Sequence, residues 1–368
     1  MSGAKKVLLL VPAKTARGGV MNYYSVLRDE LPGNFEYFER GARNWPYHNG
    51  FFTELKRALS DFKKFRERLI EKDIRLVQTS TSLSFSTTIR DGFFIRYSKK
   101  KGIKAIVFFR GWDAAAEAKV KNYFYIFKFF FFKADKIITL SESSKTTLKN
   151  WGYKKEIIVE TTLVNRDLLI NISEEYIQDK FRKIKEERTI NLLFLSRIEA
   201  RKGIFELIEA FRILSENPGN SFRYILTICG DGLEMEKMLD WLKVLKLENI
   251  VIKGFIDGLQ KREAFENAQL FVFPSHGEGM PNAVLEAMGF GLPVLTTPVG
   301  GITDFFIPGK HGNFIKVNSP RDIADKIIFL TMNLDLLCEM SLNNYNLANE
   351  KFRSDRVAER IQKIFNNV

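Results

Sequence analysis

The sequence predicts an α/β protein with two doubly wound domains, and three observations lead to that prediction. Short aliphatic or β-branched runs alternate along the chain with longer stretches of helical periodicity, a pattern typical of parallel sheets with helices on both faces. The length of 368 residues fits two domains at roughly 150 residues each. A highly charged segment at 166–188 has no strand pattern and divides the strand candidates into two equal sets.

Most of the predicted strands are followed by a segment long enough to be a crossover helix. They are Lys6–Val11, Phe35–Phe38, Leu76–Thr79, Ala105–Phe109, Lys136–Leu140, Asn191–Ser196, Tyr224–Cys229, Ile250–Ile252, Leu270–Phe273 and Pro293–Thr296. We place the N-terminal domain at residues 1–165 and the C-terminal domain at residues 166–352. For residues 353–368 we expect a helix that crosses back to the N-terminal domain, because apolar residues recur there at helical spacing. These residues are Val357, Ile361, Ile364 and Phe365.

Composition excludes several classes of protein. An apolar content of 45% excludes a disordered chain. The two cysteines, Cys229 and Cys338, are too few and too far apart for a disulfide scaffold or a CxxC metal site, and they fit a reducing, cytoplasmic setting. With three histidines, a histidine-rich metal centre is not expected. The apolar runs at 7–11 and 122–132 are too short for a signal peptide or for the ~20 residues of a membrane span.

The net charge of +13 is unevenly distributed. Residues 1–160 contain 31 Lys and Arg against 16 Asp and Glu, whereas residues 161–368 contain 26 against 28. The basic excess therefore lies in the first half. It indicates an anionic partner for that domain: a phosphorylated substrate, a lipid surface or nucleic acid.

The densest cluster of candidate functional residues lies at 274–302 and has the sequence PSHGEGMPNAVLEAMGFGLPVLTTPVGGI. Pro281 suits the first turn of a helix, and Gly289 suits its end. This helix should begin at the carboxyl edge of the sheet, where α/β proteins bind ligands. Free amides between Gly279 and Asn282, together with the helix dipole, favour a phosphate there.

Two glutamates of this cluster, Glu278 and Glu286, are eight positions apart. A glycosidase pair needs its carboxyl groups ~5–9.5 Å apart on either side of one bond. Because Glu278 precedes the helix and Glu286 lies more than one turn inside it, the pair suits two different hydroxyl groups along one extended ligand. The alternative interpretation is an exposed loop glutamate and an ordinary helix glutamate.

Three further motifs follow predicted strands. Arg197 and Lys202 could reach one anion through charge-assisted bonds of ~1.5–3 kcal/mol each, or they are solvated loop cations. Gly230-Asp231-Gly232 permits close approach of the backbone. Gly18-Gly19 lies between the first strand and the first helix, but it is not the GxGxxG fingerprint, which argues against a nicotinamide enzyme.

Together these residues resemble the retaining glycosyltransferases of family 4, also called glycosyltransferase group 1, which have the GT-B fold. The motifs that carry the resemblance are Glu278-x7-Glu286, Arg197 with Lys202, Gly300-Gly301, Gly18-Gly19 and Val164-Asn165-Arg166-Asp167. The resemblance implies two Rossmann-like doubly wound domains that face each other across a cleft. It also implies that the N-terminal domain binds the acceptor and that the C-terminal domain binds the nucleotide-sugar.

The resemblance further implies roles for individual residues. Arg197 and Lys202 would neutralise the nucleoside diphosphate leaving group, Glu278 would hold hydroxyls of the donor sugar, and Glu286 would hold the ribose. The implied catalytic residues are therefore Glu278, Arg197 and Lys202, and the donor-binding residues are Gly18, Gly19, Gly230, Gly279, Met280, Pro281, Asn282 and Glu286. The implied reaction keeps the anomeric configuration and needs no cofactor or bound metal. The sequence has no DxD motif, and two cationic side chains can replace the electrostatic role of a metal.

The sequence departs from the family pattern at Arg110-Gly111-Trp112-Asp113, where many relatives carry a histidine near the donor sugar. Arg110 could bind a phosphate or carboxylate of the donor or acceptor, and Asp113 could hydrogen-bond the acceptor. The alternative for Arg110 is an exposed loop arginine. His276, two positions before Glu278, is expected to pack the loop.

A basic amphipathic helix is predicted between residues 51 and 69. Its apolar stripe consists of Phe51, Phe52, Leu55, Ala58, Leu59, Phe62, Phe65 and Leu69, and its basic residues are Lys56, Arg57, Lys63, Lys64, Arg66 and Arg68. Such a helix could lie on an anionic membrane surface, with ~1 kcal/mol per basic residue, or pack its stripe in the core. Together with the basic excess of the N-terminal half, this helix suggests a polyprenyl-diphosphate-linked sugar or another glycan as acceptor. We therefore expect a role in surface polysaccharide synthesis and a cytoplasmic, peripheral membrane location.

Two other functions stay open at this stage. A sugar-nucleotide epimerase would need acid and base side chains on either side of the epimerised carbon, and it would need no acceptor. A nucleic-acid-binding protein is suggested by charge alone, without a binding motif or an aromatic platform, so nucleic acid is not the expected partner. We expect a hexosyltransferase that uses a nucleotide-sugar, with UDP favoured.

Overall fold

The chain divides into two α/β units in a computed structural model that describes residues 6–14, 18–41, 50–71, 73–217 and 221–368. One unit comprises residues 1–162 and 354–368, and the other residues 163–353. We had placed the boundaries at 165/166 and 352/353, a few residues away. Most of the charged segment at 166–188 forms a helix, Glu174–Glu187, with a buried apolar side.

The N-terminal unit contains a six-stranded parallel sheet with strand order β2-β1-β3-β4-β5-β6. Its strands are β1 (Lys6–Pro12), β2 (Phe35–Arg40), β3 (Ile74–Ser82), β4 (Lys104–Gly111), β5 (Lys136–Thr139) and β6 (Glu156–Val159). Its helices are α1 (Gly19–Glu30), α2 (Phe51–Glu71), α3 (Phe85–Lys100), α4 (Ala114–Val120), α5 (Phe124–Phe131) and α6 (Glu142–Asn150), together with the C-terminal helix Ser354–Asn366 and a 3₁₀ turn at Lys121–Tyr123.

Burial explains the helix positions in this unit. β1 is apolar on both sides and its residues Val7 to Val11 are buried, as expected for a parallel strand between two helical layers. Phe65 of α2 packs with Leu8 and Leu10 of β1 in one apolar cluster. The C-terminal helix buries the four apolar residues that predicted it, Val357, Ile361, Ile364 and Phe365.

The C-terminal unit contains a second six-stranded parallel sheet with strand order β12-β11-β10-β7-β8-β9. Its strands are β7 (Thr189–Leu195), β8 (Arg223–Cys229), β9 (Ile250–Gly254), β10 (Leu270–Phe273), β11 (Val294–Thr296) and β12 (Gly312–Phe314). Its helices are α7 (Glu174–Glu187), α8 (Ile204–Ser215), α9 (Met235–Leu245), α10 (Gly258–Asn267), α11 (Asn282–Gly289), α12 (Pro320–Thr331) and α13 (Leu334–Leu347), with 3₁₀ turns at Arg166–Leu169, Ala200–Lys202 and Gly300–Asp304 and a π-helical turn at Ala348–Phe352. The C-terminal helix of the chain is then α14.

The prediction of two doubly wound parallel sheets is confirmed. All ten predicted strands are present in the described part of the chain, which contains two more, β6 and β12. Both additional strands lie at a sheet edge and are only four and three residues long. Segments this short give little periodicity for sequence analysis to detect.

The apolar stripe of α2 is only partly buried. Phe65 and Leu69, near the C-terminal end of the helix, are buried, whereas Phe52, Leu55 and Leu59 are 77%, 45% and 63% exposed. The side chain of Phe51 lies outside the described residues. The phenylalanine-rich helix α5 buries Phe127, Phe130 and Phe131 in the core. No helix among the described residues is long and apolar enough to cross a membrane.

Candidate functional site

The residues predicted to act on the donor lie where the direction of strand addition reverses in the C-terminal sheet. From β7 the chain proceeds to β8 and β9 on one side and then returns to β10 on the other side of β7. The segments that follow β7 and β10 therefore diverge at the carboxyl edge, and such a point is the usual ligand site of an open α/β sheet. Arg197 and Lys202 follow β7, and Glu278 follows β10.

Lys202 and Glu278 meet at this edge. Lys202 Nζ donates a hydrogen bond to Glu278 Oε1, and the two side chains are 7% and 14% exposed. Ser275 Oγ donates to the same carboxylate oxygen at 2.8 Å. The sequence motif did not reveal Ser275, which lies between the strand and Glu278 and is fully buried.

Burial lowers the pKa of the Lys202 ammonium below its ordinary value of 10.5, and the Glu278 carboxylate opposes that shift. Arg201 and Arg197 lower the pKa of Lys202 further, so both guanidinium groups are near enough to repel it. Two carboxylates, Glu278 and Glu199, thus offset a cluster of three cations. An anionic ligand bound here would relieve the remaining repulsion among them.

Two glycines hold the loops that carry these side chains. Gly203 ends the turn Ala200–Lys202 with φ 76°, and a Cβ at this position would lie 2.1 Å from Pro274 O. Gly300 has φ 54°, and its Cβ would lie 2.4 Å from Glu278 O. Both positions combine left-handed backbone with contact distances that no side chain allows. The Gly300-Gly301 motif therefore presses directly on the Glu278 loop.

The second glutamate of the motif lies inside α11 and is 2% exposed. Its Oε1 accepts a hydrogen bond of 2.5 Å from Lys261 Nζ of α10. Glu286 is therefore not an ordinary exposed helix glutamate, which was the alternative interpretation. Lys261 was missed by the sequence analysis, because nothing in its local sequence marks it as the partner of Glu286.

Arg197 is half exposed and differs from Lys202 in its surroundings. Its Nη1 lies 2.7 Å from Glu199 Oε1, and Arg201 Nε lies 2.7 Å from Glu199 Oε2. Lys202 ends a 3₁₀ turn, and α8 begins two residues later, at Ile204. Arg197 lies in the loop that leads into this turn and reaches solvent, whereas Lys202 is buried.

The backbone positions predicted to contact phosphate lie at two helix starts. Pro281 directly precedes α11, which begins at Asn282, so it lies just outside the first turn where we had placed it. Met280 is nearly buried, and the carbonyl of Gly279 accepts from Gly301 N at 2.7 Å. Gly230 follows β8 with φ 139°. In the N-terminal unit, Gly18 precedes α1 with φ 127° and Gly19 is its first residue.

The remaining candidates have defined contacts. Asp113 Oδ1 accepts from Ala116 N at 2.7 Å and so caps α4. His276 packs the loop as expected, because its Nε2 lies 2.9 Å from Glu206 Oε1. Arg110 is 8% exposed, so the alternative of an exposed loop arginine is wrong. Across the described ranges, no three His, Cys, Asp or Glu side chains are grouped to hold a metal ion.

The chain is similar to known glycosyltransferases. Residues 176–346 match the family model for glycosyl transferases group 1. The chain is 28% identical over 332 residues to an uncharacterized glycosyltransferase of Methanocaldococcus jannaschii, covering 88% of this chain and 81% of that protein. It is 28% identical over 237 residues to the capsular polysaccharide biosynthesis glycosyltransferase CapM of Staphylococcus aureus, covering 63% of this chain and 58% of CapM.

Solved structures show the fold over almost the whole chain. The crystal structure of Anabaena HepE in complex with UDP and glucose aligns with a TM-score of 0.71 at 16% identity, covering 99% of this chain and 100% of that chain. The predicted GT-B fold of two Rossmann-like domains is thereby confirmed. The family match contains Arg197, Lys202, Glu278 and Glu286, and the comparisons together support a glycosyltransferase.

Proposed function

We propose that this protein is a retaining glycosyltransferase that moves a hexose from a nucleoside diphosphate sugar, UDP being the favoured nucleotide, to a hydroxyl group of a glycan or lipid-linked sugar. The ion pair between buried Lys202 and partly buried Glu278, at the carboxyl edge of β7 and β10, carries the proposal. The pair brings together Lys202, a cation that can bind a diphosphate, and Glu278, a carboxylate that can bind sugar hydroxyls. The relative CapM, named for capsular polysaccharide biosynthesis, supports a role in surface polysaccharide synthesis.

Lys202 and Arg197 stabilise the leaving group in this mechanism. An ammonium has three N–H donors, and the structure shows one of them directed to Glu278, so the others can bind diphosphate oxygens. Arg197 reaches the same turn from the solvent side. Fixed positive charge at the departing diphosphate lowers the barrier without a bound metal ion, and metal independence is part of the proposal.

The two glutamates position the donor. Both hydrogen bonds to Glu278 reach Oε1, from Lys202 and from Ser275, so its Oε2 can accept from a hydroxyl of the transferred hexose. Glu286 is held in α11 by Lys261 and is assigned to the ribose hydroxyls. The start of α11 and the amides near Gly19 are assigned to phosphate or sugar oxygens.

The proposed reaction proceeds on one face of the sugar. The bond between the anomeric carbon and the phosphate oxygen breaks, and the acceptor hydroxyl forms its bond from the same face. The proton of that hydroxyl passes to the departing phosphate oxygen. The product therefore keeps the anomeric configuration, and no side chain of the protein has to act as a nucleophile.

Thermal unfolding with nucleotide-sugars tests the donor site. UDP-, GDP-, ADP- and CMP-sugars are added with EDTA or with Mg²⁺, and a ligand at a hundred times its Kd adds ~2.7 kcal/mol of stability. We expect one nucleotide class to raise Tm equally in both conditions. Lys202→Met should abolish the shift, whereas Arg201→Met, which removes a neighbouring cation paired with Glu199, should keep it. A Tm unmoved by every nucleotide-sugar contradicts the proposal.

Acceptor dependence separates transfer from epimerisation. The nucleotide class that binds is incubated with the protein, with and without a glycan acceptor, and the sugar of the recovered nucleotide-sugar is analysed. A glycosyltransferase consumes the donor when the acceptor is present and leaves its sugar unchanged. An epimer formed without acceptor would instead establish the epimerase alternative.

We also propose that α2 places the protein on the cytoplasmic face of an anionic membrane, where a polyprenyl-diphosphate-linked acceptor would lie. Phe52, Leu55 and Leu59 are exposed along one stripe of this basic helix. Sedimentation with vesicles containing anionic lipid should retain the protein at low salt, and Leu55→Glu with Leu59→Glu should release it. Val244→Glu, at a similarly exposed apolar position of α9, is the control and should not change binding. Equal binding of the double variant and the wild type would contradict membrane docking through α2.

A further inference from the structure

The N-terminal unit buries a cation for which the fold supplies few partners. Arg110, near the end of β4, is 8% exposed, and its guanidinium carbon lies 3.8 Å from the centroid of the Tyr23 ring. Arg110 Nη2 donates to Thr162 Oγ1 at 3.1 Å. Among the described residues, Nε and Nη1 of Arg110 have no hydrogen-bond partner, and neither has the buried Tyr23 Oη. A buried donor without a partner costs free energy, and an acceptor bound at this cluster would satisfy these atoms.

The charge nearby does not neutralise Arg110. Glu160 attracts Arg110, but its carboxylate is bound by Arg360, with Nε at 2.9 Å from Oε2 and Nη2 at 2.7 Å from Oε1. Glu160 Oε1 also accepts from Thr161 N at 2.8 Å. Two guanidinium groups therefore share one carboxylate, and these three side chains together keep one positive charge in excess.

Arg110 and Tyr23 are both protonated, so each can donate a hydrogen bond. Burial lowers the pKa of Arg110, but a guanidinium keeps its proton at physiological pH. Burial raises the pKa of Tyr23 well above its ordinary value of 10, so the phenol stays protonated. An oxyanion within hydrogen-bond distance of both groups would accept from each of them.

The position of the cluster in the sheet fits a ligand. Arg110 is the second-last residue of β4, at the carboxyl edge, and Tyr23 belongs to the second turn of α1, which begins at Gly19 at the same edge. The first turn of α1 has no acidic residue, so its dipole adds to the positive potential. This edge is where an α/β unit binds ligands.

We propose that Arg110, Tyr23 and Thr162 form a binding site for one oxyanion of the substrate, a carboxylate or a phosphate. The proposal rests on the proposed function in so far as it names a chemical group of the sugar substrates. It explains why arginine stands at this position: a planar, permanently charged group stacked on Tyr23 can select an anionic sugar over a neutral one.

Calorimetric titration of the UDP-saturated protein tests the site. Glucuronate and inorganic phosphate are the probes for the two oxyanions, and glucose is the neutral control. We expect at least one anion to bind the wild type and to bind Arg110→Gln at least about tenfold more weakly, the loss of one charge-assisted contact. Tyr23→Phe should weaken it several-fold. Arg96→Gln is the matched control, because Arg96 stacks at 3.7 Å on the ring of Phe129, and it should bind like wild type.

Three outcomes would overturn the proposal: no binding of either anion, equal binding by Arg110→Gln and wild type, or binding of glucose as tight as that of the anions. A second pair of titrations, with UDP-glucuronate and UDP-glucose, locates the oxyanion. A preference for UDP-glucuronate that Arg110→Gln removes assigns it to the donor, and no such preference assigns it to the acceptor.

The stability of the Arg110→Met variant is a second test, because it distinguishes a ligand-binding arginine from one that stabilises the fold. Arg110→Met removes an unneutralised buried charge and keeps apolar contact with Tyr23, so we expect an unchanged or higher midpoint of urea unfolding. A clearly lower midpoint would assign Arg110 to the framework of the fold. Titration with UDP alone reports on the donor site, and the difference between wild type and Arg110→Gln in the anion titrations reports on Arg110. Failure of the proposed function and failure of this site can therefore be distinguished.

Discussion

Lys202 Nζ donates a hydrogen bond to Glu278 Oε1 although the two residues are 76 positions apart in the chain. They come from loops that follow β7 and β10, neighbouring strands whose helices leave the sheet in opposite directions. At Gly203 and Gly300 these loops approach neighbouring backbone so closely that no side chain would fit. The pair is therefore held in place before any substrate arrives, which is the condition for electrostatic stabilisation of a leaving group.

Removing either member of the pair should abolish most of the turnover. Glu278→Gln keeps the shape of the side chain and loses the charge, and Lys202→Met loses the cation. We expect kcat to fall by about two orders of magnitude or more in each, as for other losses of preorganised charge. Steady-state assays with the nucleotide-sugar identified by thermal unfolding would measure the change. Arg201→Met should stay within a few-fold of wild type, and turnover near wild type in both site variants would remove the assignment.

The affinity for UDP should fall at alkaline pH. Burial lowers the pKa of Lys202 below its ordinary value of 10.5, so its charge is lost at a lower pH than that of an exposed lysine. A diphosphate binds only the charged form, so we expect the Kd for UDP to rise as pH increases through the lowered pKa. Calorimetry between pH 7 and 10.5 measures this. Lys202→Arg, which does not titrate in this range, should show a flat profile, and a flat wild-type profile would exclude Lys202 as the ligand.

Most of the fold could be predicted because its repeating pattern is local. Each strand such as Lys6–Pro12 is a short buried aliphatic run, and each crossover helix has its own periodicity, so architecture follows from nearby residues. The two edge strands were missed for the same reason. Each edge strand forms mainly because it pairs with a neighbouring strand, β5 for Glu156–Val159 and β11 for Gly312–Phe314. The local sequence does not show that pairing.

The candidate site was predictable in composition but not in its contacts. The motif residues Arg197, Lys202, Glu278 and Glu286 lie in one unit at or near one sheet edge, but sequence does not show which charges pair. Lys261 comes from a helix with no marked motif and binds Glu286. Arg110 looked like a loop residue, and its burial depends on Tyr23 and Thr162, which are far away in the chain. Contacts between distant segments require the tertiary fold.

Glu286 and Lys261 offer a way to separate stability from binding. Their side chains are 3% and 12% exposed, so Glu286→Gln or Lys261→Met alone leaves a buried charge unpaired and should cost about 3–5 kcal/mol of unfolding free energy. The double variant removes both charges and should recover most of that loss in urea unfolding.

Affinity for the donor should behave differently in these variants. If Glu286 holds the ribose, the double variant still lacks the carboxylate, and its KM for the nucleotide-sugar should stay about tenfold above wild type, the value of one hydrogen bond to a charged group. Wild type should also prefer UDP over 2′,3′-dideoxy-UDP, and the double variant should not. A double variant with wild-type KM would make Glu286 a structural residue.

Stability of the C-terminal unit should decrease in mild acid because of His311. This side chain is 3% exposed, and its Nδ1 accepts a hydrogen bond from Ile307 N at 3.0 Å, so the neutral ring carries its proton on Nε2. Burial, together with the nearby charges of Lys310 and Lys351, lowers the pKa of His311 to about 4. Below the ordinary pKa of 6.5 the unfolded chain binds a proton that the folded protein does not, so unfolding free energy rises with pH across this window.

The size of the effect follows from the two pKa values. The difference between 6.5 and about 4 amounts to at most about 3 kcal/mol, present above pH 6.5 and lost as pH falls towards 4. Urea unfolding at half-unit pH steps measures it. His311→Gln keeps an acceptor for Ile307 N but does not titrate, so the difference in unfolding free energy between wild type and variant should shrink or reverse between pH 6.5 and 4. A difference that stays constant over this range would show that His311 is protonated equally in the folded and unfolded states.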